Sequence, residues 1–474
     1  MRDNIKKRND KTKTITKLIL EAKQLAHAET DNINDAPIAK FPQWPINCVV
    51  GPGLEGAIAC ESKIGYVNGA KGLLIYRGYD IFDLCAYSSY EEVSYLLLYG
   101  KLPTANQLDK FSKKLISCRK VSDTIRLLFG FPIGKMNPMA ALRLGTTLMR
   151  REFTSDDLAS GKVDISGIIH TDADSIPMET LPIGEQHAIY EFHQELKKGK
   201  IDKKTLLESA NSEVACHRLI AGCASLTASI SRMRQDKFPL EPREDLSHAA
   251  NFLYMMTGKV PTAEQERIMD VSLILHADHG MNASTFASMV VASTLSDIYL
   301  SVGSGIAALN GPLHGGANEQ VINMLKSIGS PDNVKKWYER ACSKKQKVMG
   351  FGHRVYKAYD PRARILGPLA NYLVSKSDSD EVKNLFKTAK VLEKEVLETL
   401  GKEKKIFPNV DFYSGIVYHV LGISPEIFTP LFAVSRVAGW TARIIEYLKN
   451  NRIFRPRAIY SGPLDKNYVN IEDR

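Results

Sequence analysis

The stretch PLFAVSRVAGWTARIIEYL, residues 430–448, decides the fold class. Its apolar residues return at intervals of three and four, the spacing of a buried helix face and not of a strand. The same spacing runs through Tyr90, Val93, Leu96 and Leu97, then through Leu246–Met256 and Ile268–His276. Strand-like text is confined to about residues 48–76. There Ile58-Ala59-Cys60 and Lys63–Val67 are separated by turn formers, and Leu73–Tyr76 follows the turn signal Asn68-Gly69. The expected class is all-α, mainly helical with a small N-terminal β element.

Working outward, 474 residues are more than one core usually holds, so two domains are expected. An apolar share of 44% with 24% charged residues suits a packed globular chain and argues against wholesale disorder. Residues 1–40 read as a lysine-rich N-terminal tail. Residues 154–212 are acidic, then proline-containing, then lysine-rich, and read as a surface insertion. The seven cysteines are scattered and never form a Cys-x-x-Cys pair, which argues for a reduced compartment. Cys216 and Cys223 read as small buried hydrophobes on a helix.

The net charge of +10 would suit a polyanion. Its excess falls in the N-terminal lysines and in an arginine-rich stretch, Arg436, Arg443, Arg452, Arg455 and Arg457, and no nucleic-acid module is recognisable. Arginine binds small carboxylates through paired donors, so a dicarboxylate is the better partner and no nucleic acid is expected. No apolar core follows the first basic residues as a signal peptide requires. The longest uncharged run, Ile298–Asn318, reads as a buried helix entering a glycine-rich turn, so no membrane is expected either and the cytoplasm is the expected address.

Two of the eleven histidines stand in glycine-rich stretches: His314 in Gly311-Pro312-Leu313-His314-Gly315-Gly316, and His353 in Gly350-Phe351-Gly352-His353-Arg354. Glycine beside a histidine exposes the ring and lets another molecule approach the backbone, so the pair suggests one shared pocket. Asp411, in Phe407-Pro408-Asn409-Val410-Asp411-Phe412, reads as an N-terminal helix cap whose apolar neighbours would also raise its pKa toward that of a working base. His276, Asp278 and His279 are spaced so that a metal is a rival reading, but no third set of ligand spacing accompanies them and no metal is expected. The dinucleotide fingerprint matched by letter at Gly51–Gly56 is declined, because a proline occupies its turn and strand text follows. Neither a Walker loop nor a Gly-x-Ser-x-Gly elbow is present.

With these residues in view, His276–Thr285, Gly311–Glu319, Met349–Arg362, Pro408–Gly415 and Phe432–Gly439 closely resemble the signatures of citrate synthases, in that family's order and approximate spacing. Gly78–Ile81 and Tyr99–Thr104 resemble its N-terminal region. The resemblance implies that His314 hydrogen-bonds the thioester carbonyl, Asp411 takes the methyl proton and His353 polarises the oxaloacetate carbonyl. It further implies that His279, Arg362, Arg436 and Arg455 grip the oxaloacetate carboxylates, Arg455 reaching the partner subunit's site. Asn282 and Ser284 would be polar neighbours, and Val348, Met349, Gly350, Phe351 and Gly352 would lie against coenzyme A.

By the same resemblance the chain is an all-α homodimer, or a hexamer of three dimers, with no permanent cofactor and acetyl-CoA as co-substrate. A large domain, 41–314 with 419–474, would be closed over the cleft by a smaller one, 315–418. The expected reaction joins acetyl-CoA, oxaloacetate and water into citrate and CoA. A 2-methylcitrate synthase using propionyl-CoA is the alternative, because one methylene is worth only about 1–3 kcal/mol in a pocket. A non-catalytic helical scaffold is the alternative of another class, and it predicts the loss of one of the three catalytic residues.

Overall fold

The structure is a computed structural model that describes residues 2–30, 49–159, 213–401, 404–458, 461–463, 467–468 and 470–474. A first helix, α1 (Arg2–Thr30), precedes three short strands, β1 (Gly65–Asn68), β2 (Leu73–Tyr76) and β3 (Tyr79–Asp80). Helices follow as α2 (Ile81–Tyr87), α3 (Tyr90–Tyr99), α4 (Ala105–Ser117), α5 (Ser122–Leu128), α6 (Pro138–Ala159), α7 (Glu213–Met233), α8 (His248–Thr257), α9 (Ala263–His276), α10 (Ala283–Ser293) and α11 (Ile298–Leu309). The remainder are α12 (Ala317–Ile328), α13 (Val334–Ser343), α14 (Pro361–Ser375), α15 (Asp380–Val396), α16 (Val410–Val420) and α17 (Phe428–Leu448). The mainly helical architecture is the one expected.

Helix starts follow the capping chemistry of the sequence. Thr104 and Thr262 each close a capping box with the glutamine three residues on, and Ser89, Ser247, Asp297 and Asn282 cap through one side-chain oxygen. At the centre, α17 packs against α3, α7, α9, α10 and α11, and its Trp440 is completely enclosed. Helix α7 is long and apolar enough to cross a membrane by composition, but other helices enclose it, and Cys216 and Cys223 are buried on it as expected.

The β element is an antiparallel hairpin extended by one short strand, Gly65 opposite Tyr76 and Asn68 opposite Leu73, then Ile75 opposite Asp80. Ile58-Ala59-Cys60, expected as strand, is irregular: among the described residues no strand pairs with it, whereas Leu73–Tyr76 has one on each side. The Asn68 side chain accepts the amides of Ala70 and Lys71, which folds the turn. That turn abuts the segment bearing His353: Lys357 donates its amide to the Gly69 carbonyl at 2.8 Å, and a Cβ at Gly69 would stand 2.0 Å from the Val355 oxygen.

The N-terminal tail is a correction over residues 2–30, which form a helix whose described side chains reach into the core, while residues 31–40 lie outside the described residues. Ile15, Ile19 and Ala22 lie on one face and are buried, while Lys11, Lys13 and Lys17 stay in solvent. Burying two isoleucines contributes roughly 3–6 kcal/mol before ordering costs. Helix α1 packs on α2, α9 and α14, and Lys23 pairs with Asp83 at 2.6 Å. Lysine density therefore marked the outer face of a helix, not a free leader. The insertion expected at 154–212 falls outside the described residues beyond Ala159, the end of α6.

Candidate active site

The first wall of the site is the turn after α9. Two glycines allow it to sit deep: a Cβ at Gly439 would stand 2.1 Å from the Ala277 carbonyl, and one at Gly65 would stand 2.4 Å from Asp278 Oδ2. Arg443 grips both Asp278 oxygens at 2.7 and 2.8 Å, and Tyr76 donates its hydroxyl to the Asp278 carbonyl at 2.8 Å. His276 turns Nδ1 to the Ser272 carbonyl at 2.8 Å, and His279 Nε2 lies 3.2 Å from the Tyr356 hydroxyl. The three groups of the metal reading are thus engaged separately.

His314 stands in the glycine-rich turn between α11 and α12, as the sequence suggested. Its Nε2 lies 2.9 Å from Ser284 Oγ and 3.3 Å from the Ser284 backbone amide. An amide nitrogen can only donate, so Nε2 is an acceptor and the proton of a neutral ring is on Nδ1. Burial, with the charge of Arg436 next in size, lowers the His314 pKa to about 4 and keeps the ring neutral. Ser284 is held in turn by Asn282, which caps α10 and sits 2.7 Å from the Ser284 hydroxyl.

His353 shows the opposite tautomer by the same logic. Its Nδ1 accepts the amides of Val355 and Tyr356 at 3.0 and 3.1 Å, which leaves the proton of the neutral ring on Nε2. Burial and then Arg362 lower its pKa to about 4. His279 packs edge-on against it, ring centres 5.2 Å apart, and burial with the Arg362 charge holds His279 well below the usual histidine range.

The loop 348–352 is stitched to the segment that leads into α16. Gly352 donates its amide to the Phe407 carbonyl at 2.9 Å, Asn409 donates its amide to the Gly350 carbonyl at 2.9 Å, and Asn409 Nδ2 reaches the Gly352 carbonyl at 2.8 Å. Gly350 (φ 81°) needs the left-handed region, and a Cβ there would meet Val321 and Phe412 below 3 Å. Val348 and Met349 are half-buried, while Phe351 packs against Phe412 with ring centres 4.6 Å apart.

The cap of α16 differs from expectation: Asn409 is the capping residue, and it accepts the amide of Asp411 at 3.0 Å. Asp411 lies in the first turn, where its side chain is free for other work. Asp411 is half-buried, but Oδ1 is enclosed without a partner among the described residues. Burial raises its pKa to about 6, against the opposing charge of Arg362.

Two buried arginines complete the site and differ in their partners. Arg362 is held by Asp360 through Nε at 3.0 Å and a terminal nitrogen at 2.8 Å. The same carboxylate accepts the Val410 amide at 3.2 Å, so Asp360 joins the His353 segment to the Asp411 helix. Arg436 is 1% exposed, donates Nε to the His276 carbonyl at 2.6 Å, and leaves one terminal nitrogen buried with no partner. Burial lowers its pKa to about 10. A buried guanidinium without a bound carboxylate is a seat for an anion. Its charge is felt at His279, His314 and Asp411, and that of Arg362 at His279, His353 and Asp411, so the predicted residues surround one pair of cations.

Arg455 is the exception. It lies exposed on the segment after α17. Sequence reasoning missed Tyr356, which touches His279 and carries Arg362 above its ring at 5.8 Å. It also missed the pairing role of Asp360, although Asp360-Pro361-Arg362 was in plain view as a helix start.

Known proteins resemble this chain in sequence and in fold. The family model described as citrate synthase, C-terminal domain, matches residues 53–457. The citrate synthase of Deinococcus radiodurans is 39% identical over 426 residues, covering 90% of this chain and 99% of that protein. The crystal structure of citrate synthase from Pyrobaculum aerophilum superposes with a TM-score of 0.73 at 40% identity, covering 90% of this chain and 98% of that one. The Thermoplasma acidophilum citrate synthase, solved as a ternary complex with carboxymethyl coenzyme A and oxaloacetate, gives a TM-score of 0.74 at 33% identity, covering 90% of this chain and 100% of that one. Matched over most of its length in sequence and in fold, the chain belongs to the citrate synthase family and is an enzyme of acyl transfer to oxaloacetate, forming citrate.

Proposed function

We propose that Asp411, His314 and His353 divide the condensation of acetyl-CoA with oxaloacetate among them. The observation that carries this reading is the placement of backbone amides against Nε2 of His314 and Nδ1 of His353, which favours Nδ1–H on the first ring and Nε2–H on the second. Asp411 takes a proton from the acetyl methyl group, and the electron pair moves onto the thioester oxygen, which receives a hydrogen bond from His314 Nδ1. The enol carbon then bonds to the oxo carbon of oxaloacetate, whose oxygen gains the negative charge and is met by His353 Nε2–H. Water adds to the citryl carbonyl, the carbon–sulfur bond breaks and CoA leaves as the thiol.

Arg436, Arg362 and His279 bind the oxaloacetate carboxylates in this reading, and the unpartnered nitrogen of Arg436 supports it. Val348–Gly352 lies against coenzyme A. Residues 315–418 act as the smaller domain and close over the substrates to exclude water until the carbon–carbon bond has formed. We also infer a cytoplasmic homodimer in which Arg455 serves the partner's site, a role suited to its exposed position. The test is thiol release from acetyl-CoA and from propionyl-CoA with oxaloacetate present. A higher kcat/KM for acetyl-CoA is expected, and a preference for propionyl-CoA would reassign the enzyme to 2-methylcitrate synthesis.

A further inference from the structure

Asp411, Ser414 and Tyr418 occur at i, i+3 and i+7 on α16, so their side chains share one face of the helix. Each carries a buried polar atom with no hydrogen-bond partner among the described residues: Asp411 Oδ1, Ser414 Oγ and Tyr418 Oη. Ser414 and Tyr418 are wholly enclosed. A helical serine commonly returns its hydroxyl to the carbonyl four residues back, and Ser414 does not.

His276 stands across from this face, its ring centre 6.4 Å from that of Tyr418. Because Nδ1 faces the Ser272 carbonyl it carries the proton, and Nε2 is a bare acceptor, buried and also without a partner. Asn318 Nδ2, on α12, is a further buried donor without a partner, and its own carbonyl oxygen lies 2.8 Å from where a Cβ of Gly415 would be. Leaving one such group unsatisfied costs about 1–3 kcal/mol, so a run of them beside the base is not explained by core packing. Donors and acceptors are both represented along the run, which is what a chain of bridging waters requires.

We propose that ordered waters fill this face of α16 and connect Asp411 Oδ1, past Ser414 and Tyr418, to His276 Nε2, making Ser414 and Tyr418 positioning residues for the base. The inference rests on the role given to Asp411 above. Arg362, Asp360, Lys347 and Arg436 face Asp411 from the neighbouring segments, and the Tyr418 hydroxyl from its own helix, yet none of them donates a hydrogen bond to Oδ1. Water donated along the chain supplies that bond, favours the carboxylate and leaves the other oxygen turned to substrate.

The experiment pairs a crystal structure of the unliganded protein with pH profiles of Tyr418→Phe and Ser414→Ala, changes that remove a hydroxyl and little volume. Water density within hydrogen-bond distance of both Tyr418 Oη and His276 Nε2 is expected, and a dry face overturns the proposal whether or not the variants fold. The acid limb of kcat/KM for acetyl-CoA is expected to move up by about half to one pH unit in each variant, with an unchanged KM for oxaloacetate. An acid limb that stays in place in both variants removes the positioning role. Wild-type protein that releases no thiol from acetyl-CoA refutes the proposed reaction instead, and leaves the water density to be judged separately.

Discussion

The backbone amide of Ser284 points at Nε2 of His314 from 3.3 Å. A main-chain donor cannot rotate away or change its protonation, so it fixes the tautomer of the ring more firmly than a hydroxyl alone. In Ser284→Ala the amide remains and only the hydroxyl is lost. We expect kcat to fall by about tenfold, well short of the 10²–10⁴-fold attached to losing an acid–base group. Nitrogen NMR of the His314 ring should show Nδ1 protonated in both proteins, and an Nε2–H signal in the wild type would sink the assignment.

Asp411→Asn separates activity from stability. Turnover should fall by roughly 10²–10⁴-fold while oxaloacetate binding persists. The folded pKa of about 6 lies above the ordinary carboxyl value of 3.8, so ionising Asp411 opposes folding. That penalty is absent below pH 4, grows through the interval up to 6 and is constant above it. The variant should therefore be more stable than wild type at pH 7.5, by roughly 1–2 kcal/mol after allowance for its partly open surface, and equal to it near pH 4. Thermal melts at the two pH values check this.

Arg436→Leu removes a buried charge that no protein carboxylate holds. The unliganded melting temperature should be unchanged or higher, because the cost of desolvation disappears along with the charge. KM for oxaloacetate should rise on the order of 10²-fold, and oxaloacetate should no longer raise the melting temperature. A clear loss of unliganded stability would mean that the bond from Nε to the His276 carbonyl outweighs the charge.

Asp360→Ala acts in the opposite sense. It leaves Arg362 buried without its partner and frees the Val410 amide, so about 3–5 kcal/mol of stability should be lost. Denaturant titration measures it, and a loss under about 1 kcal/mol would show that Arg362 relaxes toward solvent.

Ile19→Ala tests the first helix. A buried isoleucine reduced to alanine typically costs about 2–5 kcal/mol, whereas the same change on a free leader costs nothing. An unchanged denaturation midpoint would return residues 2–30 to the status of a tail.

How far the sequence could be read depended on how far apart the partners were. His314 and His353 announced themselves through adjacent glycines, and the helices through spacing over a few turns. The residues that set their chemistry come from other parts of the chain: Ser284 lies 30 positions from His314, and Val410 lies 50 from Asp360. No local pattern encodes such pairs. Helix α1 was hidden for another reason, since its buried stripe is narrow and the lysines on its outer face dominate the composition. Asp411 looked like a cap because acidic residues favour the first turn of any helix, and only the fold gives that role to Asn409.

The turn at Gly69 carries no reacting group, yet its carbonyl holds Lys357 and its missing side chain makes room for Val355. The amide of Val355 is one of the two that orient His353. The small hairpin is therefore a jig for that histidine, and the loop that bears it is not a portable unit. Anyone transplanting residues 348–362 into another helical scaffold would have to carry residues 65–80 with them, or accept an imidazole free to turn.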